Sequence, residues 1–237
     1  MDVTLDRIVG DWQVHQLRRG HRFSVDDQLT AWTAFQAAPR ATRLLDLGCG
    51  IGSVGLMTLY FLPPTATLLG VEVQQVSVDL ARRSVATNGL QERVELIHQD
   101  LREFHRPERF PLITGSPPYI PADKGVHSPH PQRAGARMEL KGDVFDYCRT
   151  AAEHLAPEGL FALCHAGLDP RPGRAIEAAG LTLRHRREVY FRRSKPPTIA
   201  LYLAGWGGAQ EEVPPLVIRE DDGEQTAEYL AIRSLFA

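Results

Sequence analysis

Short apolar runs alternate with amphipathic stretches along this chain, and glycine or proline separates most of them. The runs at 43–47, 67–72, 93–101, 110–114 and 160–164 are rich in Leu, Ile and Val, which predicts strands buried on both faces. Helical spacing appears between them: across 54–60, through Val76, Val78, Leu80, Ala81 and Val85 up to Asn88-Gly89, and in Val144, Phe145, Tyr147 and Cys148 behind Asp143. Leu29, Trp32, Ala34 and Phe35 predict an earlier helix, capped by Ser24 or Asp26 and stopped at Pro39. A shorter helix near 174–179 stops at Gly180. Residues 181–195 and 198–203 predict a terminal hairpin, and 213–218 an extended strand or arm. Repeated strand–helix units of this kind close into a mainly parallel sheet, with helices on both faces and ligands at the strand carboxyl ends. The run 120–138 is broken by Pro121, Gly125, Pro129, Pro131 and Gly135, and predicts a long irregular lid or binding loop.

Composition adds bounds to this pattern. At 237 residues and 43% hydrophobic, the chain suits one large α/β unit. The expected organisation is a lead-in and helix over 1–40, a central domain over 41–205 and an acidic extension over 206–237 packed on that domain. The net charge of -2 excludes a uniformly basic nucleic-acid binder but leaves room for a local basic face. Residues 181–195 supply one, with six Arg or Lys against one Glu and Tyr190 and Phe191 interleaved. That pattern suits a phosphate-contacting surface, and equally an edge strand protected by charge. Cys49, Cys148 and Cys164 make an odd set without metal-ligand spacing, which predicts reduced thiols. His127 and His130 lack nearby Cys or carboxylate partners, so no metal site is expected. With no basic leader and no long apolar run, the expected setting is cytoplasmic, away from membranes.

The candidate chemistry gathers at strand ends. Gly48, Gly50 and Gly52 follow the 43–47 strand and precede a helix, where a backbone turn passes close to a ligand. Asp46 stands before the first of these glycines and Ser53 replaces the third glycine of a dinucleotide fingerprint, which favours a cationic methyl donor over a pyrophosphate. Glu72 ends the next strand, where a ribose diol would meet a carboxylate. Asp100 ends the third strand, positioned to accept from an adenine amino group or to cap the turn behind it. Phe23 and Asp26 ahead of the first strand, and Val73 and Leu101 beside the acidic strand ends, complete the expected cofactor contacts. After the 110–114 strand comes Ser116-Pro117-Pro118-Tyr119. Two prolines remove backbone donors and extend Ser116, so the turn offers acceptors and a ring to a planar, amino-bearing group.

In this order the segments resemble the class I S-adenosylmethionine-dependent methyltransferases, and within them the bacterial tRNA (adenine-N6)-methyltransferases that modify valine tRNA next to the anticodon. The likeness runs through Arg22-Phe23-Ser24-Val25-Asp26, Leu45-Asp46-Leu47-Gly48-Cys49-Gly50-Ile51-Gly52, Gly70-Val71-Glu72, Asn88-Gly89-Leu90, Ser116-Pro117-Pro118-Tyr119, Ala136-Arg137-Met138-Glu139-Leu140, Lys195-Pro196-Pro197, Pro214-Pro215-Leu216 and Asp222-Gly223-Glu224. It implies an α/β Rossmann-like fold with a mainly parallel seven-stranded sheet ending in an antiparallel hairpin. It also implies S-adenosyl-L-methionine as cofactor, RNA and above all tRNA as partner, and adenine N6 as acceptor. Ser116, Pro117, Pro118 and Tyr119 would then form the catalytic turn. Lys124, Arg133, Arg137, Arg186, Arg192, Arg193 and Lys195 would meet the substrate. The family's turn usually begins with Asn where this chain has Ser116, and its tail carries Tyr where this chain has Gln225. Other planar nitrogens (cytosine N4, a protein glutamine amide, a small molecule) and a non-catalytic S-adenosylmethionine-binding module are the alternatives.

Overall fold

The computed structural model describes residues 2–121 and 130–237; Lys124 and His127 lie outside them. The chain opens with a hairpin that the sequence pattern did not suggest. Strands β1 (Val3–Val9) and β2 (Trp12–Leu17) pair antiparallel, apart from the main sheet. The hairpin then leads into helix α1 (Val25–Ala37), whose N-cap is Ser24.

The repeat that follows is β3 (Arg43–Leu47), α2 (Ser53–Phe61), β4 (Thr67–Glu72), α3 (Gln75–Thr87), β5 (Val94–His98) and β6 (Phe110–Gly115). Beyond β6, the run expected to be irregular contains a short helix, α4 (Pro131–Arg137), with Pro131 in its first turn. Proline there costs nothing, since the N–H it lacks has no intrahelical acceptor. Next come α5 (Val144–His154), β7 (Leu155–Ala166), α6 (Arg171–Ala178), β8 (Thr182–Tyr190) and β9 (Ile199–Gly205). The tail adds β10 (Leu216–Val217) and a helix, α7 (Ala227–Leu235).

The main sheet has eight strands, not seven, in the order β10-β8-β9-β7-β6-β3-β4-β5. The extra strand is the two-residue β10, which pairs parallel to β8 and turns the expected arm into sheet. β3 to β7 run parallel, and β9 is antiparallel to both β7 and β8. Leu45, Leu47, Ile113 and Phe161 point to the face covered by α5 and α6. Leu44, Leu68 and Leu112 point to the opposite face, with Ala34 of α1, Leu56 and Leu59 of α2 and Val85 of α3. This alternation is what burying both sheet faces requires. α7 joins the second side through Tyr229, Ile232 and Phe236, which meet Phe35 and Leu216 in one cluster. The chain proceeds from β3 through β4 to β5 on one side and resumes with β6 on the other, so a crevice opens at the carboxyl ends of β3 and β6.

Candidate functional site

A cavity of ≈670 Å³ occupies that crevice, a size ordinary for a nucleoside-sized ligand. Its floor is the turn between β3 and α2. Gly48, Gly50 and Gly52 all adopt positive φ, at 61°, 55° and 86°. A Cβ on Gly48 would lie 1.9 Å from the Tyr147 hydroxyl oxygen, so the backbone passes beneath that ring only as glycine. Gly48 and Gly50 line the cavity, while Gly52 serves as the left-handed N-cap of α2 and is not part of the lining.

Three buried carboxylates surround this floor. Asp46 accepts from the Gly55 N–H at 3.0 Å and from the Thr114 hydroxyl at 2.7 Å, which ties β3 to α2 and β6. Burial pushes its pKa up to about 7 despite those two hydrogen bonds, and the charges of Asp27 and Glu72 add to the rise. Glu72 accepts from the Gly50 N–H at 2.9 Å and the Gln74 N–H at 2.7 Å, and burial raises it too. Asp27, for which the sequence suggests no role, is the third. It accepts from the Ser24 N–H at 2.7 Å and the Ser53 hydroxyl at 3.1 Å, and burial followed by repulsion from Asp26 lifts it to about 6. A cavity floor that gathers three buried carboxylates, with no ion pair to any of them among the described residues, is set up to receive positive charge.

Phe23, Asp26, Val73 and Leu101 line the same cavity. Asp100 does not. It caps the 3-10 turn Leu101–Glu103, and its carboxylate faces the Arg102 guanidinium at 2.6 Å. Gln99, on the other side, lines the cavity in its neighbourhood.

The opposite wall is Ser116, Pro117, Pro118 and Tyr119, continuing from β6. Burial raises the Tyr119 phenol to about 12, and it stays neutral. Helix α4 closes one side. Its Gln132 accepts from the His21 N–H at 2.7 Å and reaches the Ser77 hydroxyl at 3.3 Å, joining the turn after β2 to α3 across the cavity.

The rim is basic. Arg19, Arg133 and Arg137 are exposed cavity-lining residues with no ion pair to a carboxylate among the described residues, and Lys141, also exposed there, adds its charge to the Arg102 hydrogen bond that lowers the Asp100 pKa. Arg18 and Arg22 also line it but pair with Asp2 and Asp6. Arg186, Arg192, Arg193 and Lys195 lie away from the lining. Arg186 bonds Glu188 at 2.7 Å and the Gly167 carbonyl at 2.6 Å, Arg193 bonds Glu220 at 2.7 Å, and Arg192 donates to the Asp221 carbonyl. Phe191, from the same basic stretch, does reach the cavity. No three His, Cys, Asp or Glu side chains converge as metal ligands among the described residues.

The family model described as the methyltransferase small domain matches residues 31–163, more than half of the chain. The chain belongs to this methyltransferase family. It is 29% identical over 212 residues to the tRNA1(Val) (adenine(37)-N6)-methyltransferase of Tolumonas auensis, covering 88% of this chain and 86% of that one. Over 141 residues it is 34% identical to the release factor glutamine methyltransferase of Geobacter sulfurreducens, covering 56% of this chain and 49% of that one. The fold matches the crystal structure of a predicted O-methyltransferase from Agrobacterium tumefaciens, with a TM-score of 0.66, 21% identity and coverage of 90% and 97%.

The methyltransferase therefore uses S-adenosylmethionine, and the cavity fits it chemically. The donor is a cationic amino acid joined to a nucleoside; the pocket offers buried carboxylates, a glycine turn at a helix start and a carboxylate, Glu72, fixed by two backbone N–H groups.

Proposed function

We propose that this methyltransferase acts on an exocyclic planar nitrogen, adenine N6 in a tRNA. One observation carries the reading: the Ser116–Tyr119 turn and the buried carboxylates line one cavity, at whose rim lie exposed arginines without a carboxylate partner among the described residues. The similarity to the tRNA methyltransferase of Tolumonas auensis extends over most of the chain and supports the same acceptor.

Bound S-adenosylmethionine supplies an electrophilic methyl group on a sulfonium. The protein's task is to make a poor nucleophile competent. An aromatic amine has its lone pair delocalised into the ring, and two acceptors gripping its hydrogens favour the pyramidal form with the lone pair free. The Ser116 hydroxyl oxygen and the Pro117 carbonyl are those acceptors in this reading, and Tyr119 stacks on the flipped base. Asp46, Glu72 and Asp27 would hold the cationic donor, and Arg133 and Arg137 would meet phosphates beside the base. Positioning then supplies much of the rate.

The glutamine-amide reading is supported by the local likeness to the release factor enzyme, of which the chain spans about half. A side-by-side assay with labelled donor separates the two. Unmodified tRNA is expected to accept label and Tyr119→Ala to abolish it, with donor binding retained; label on a release-factor glutamine instead would overturn the adenine assignment.

A further inference from the structure

His165 lies at the end of β7, two residues beyond the Gly115–Leu163 pair and hence beside the Ser116–Tyr119 turn. It is fully buried, and neither ring nitrogen has a hydrogen-bond partner among the described residues. Its ring meets Tyr119 edge-on, with centroids 5.8 Å apart and planes at 67°, a favourable aromatic arrangement. Behind it, Nδ1 stands 3.6 Å from the Asp169 carboxylate, just beyond bonding reach. Asp169 is gripped by the Arg171 guanidinium at 2.6 Å, and Arg171 donates to Glu139 at 3.0 Å. The Glu139 N–H bonds the Ile120 carbonyl at 3.0 Å, at the base of the segment that rims the cavity.

A buried phenylalanine would fill the same space without leaving two nitrogens bare, so packing alone does not account for an imidazole at this place. We propose that His165 is a positioning residue that sets the plane of Tyr119 and links it, through Asp169, Arg171 and Glu139, to the two ends of the segment 120–139. A shift of about 0.6 Å would bring Nδ1–H onto Asp169. The imidazole remains neutral throughout, since burial holds its pKa down at about 4. His165 touches neither donor nor acceptor.

This inference rests on the reading of Tyr119 as the ring that holds the acceptor. Its test uses His165→Gln, which removes the ring, and His165→Phe, which keeps the ring but cannot reach Asp169. Both are examined by tyrosine ring NMR of the cofactor-free protein and by steady-state kinetics on tRNA. The Tyr119 ring resonances are expected to shift in His165→Gln and to return near wild type in His165→Phe. In both variants kcat falls at least tenfold, while the donor Kd stays within twofold. Unchanged Tyr119 resonances and kcat in both variants would overturn the proposal. So would losses of donor binding and kcat that simply track a lowered melting temperature. If wild type methylates no tRNA, the acceptor reading fails, and the NMR result still decides whether His165 orients Tyr119.

Discussion

Removing the charge from Asp46 exposes the tension between stability and cofactor binding in this pocket. In the unfolded chain this carboxyl releases its proton near 3.8; in the fold it holds the proton until about 7. The native state binds more protons across that interval, so the group lowers stability as pH rises through it. The difference corresponds to about 4 kcal/mol once Asp46 is ionised. In Asp46→Asn the amide oxygen still accepts from Thr114, but the amide nitrogen turns a second donor toward the Gly55 N–H. That mismatch costs about 1–3 kcal/mol at every pH. At pH 5 wild type has already lost about 1.5 kcal/mol to this ionisation, so the two proteins are of similar stability there, and the variant matches or exceeds wild type at pH 8. His165, with its pKa held down at about 4, acts oppositely: its neutral form gains stability as pH rises toward 6.5. Comparing the two proteins removes that contribution, since both contain His165. Urea unfolding of the cofactor-free proteins from pH 5 to 8.5 measures the difference directly. The stability of Asp46→Asn relative to wild type should climb by about 2–3 kcal/mol between pH 5 and 8.5, while its donor affinity at pH 8 drops at least tenfold. A difference independent of pH, or one that moves the other way, would refute the buried-charge argument.

Two further outcomes follow from the same geometry. Gly48→Ala places a Cβ 1.9 Å from the Tyr147 oxygen at φ 61°, and should cost about 2–4 kcal/mol in thermal unfolding together with donor binding by calorimetry. Combining Arg133→Ala with Arg137→Ala should flatten the dependence of log K on log salt for tRNA binding by about 1–2. Arg193→Ala, whose guanidinium already faces Glu220, should leave that slope unchanged.

The strands and the glycine turn were legible because each is local. An apolar run, a turn signal and a carboxylate at its end all lie within a few residues. The floor of the cavity could be drawn on that basis, with Asp46, Gly48, Gly50 and Glu72 brought together by the parallel register of β3 and β4. What stayed hidden depends on contacts between distant segments. Asp27 carries no signal of its own in the sequence, where Ser24 and Asp26 are the cap candidates, and becomes a buried site residue where it meets Ser53 of α2. In the strands of the β1–β2 hairpin the only charges are the adjacent Asp6 and Arg7, which break the alternation, and the face it buries is set by α3, where Ser84 and Asn88 accept from the His15 and Gln13 N–H groups. Gly10-Asp11 between two alternating runs was the available signal. In the tail, Thr226 followed by Tyr229, Ile232 and Phe236 was the signal for α7. The arginines of 181–195 read as an open basic face, yet the acids that meet Arg193 and Arg187 come from Glu220 and Glu228, far along the chain. Arg192, Arg193 and Lys195 remain exposed but lie away from the cavity, whose rim takes its exposed arginines from the turn after β2 and from α4.

In the proposed function the Ser116–Tyr119 turn presents adenine N6 of tRNA to a donor that Asp46 and Glu72 would hold. The most direct test of this is mass spectrometry of nucleosides from unmodified tRNA after incubation with the protein and isotopically labelled S-adenosylmethionine. The account predicts label in N6-methyladenosine, absent when Tyr119 is replaced by alanine. Donor binding with no label in any tRNA nucleoside, or label in N4-methylcytidine instead, would contradict it.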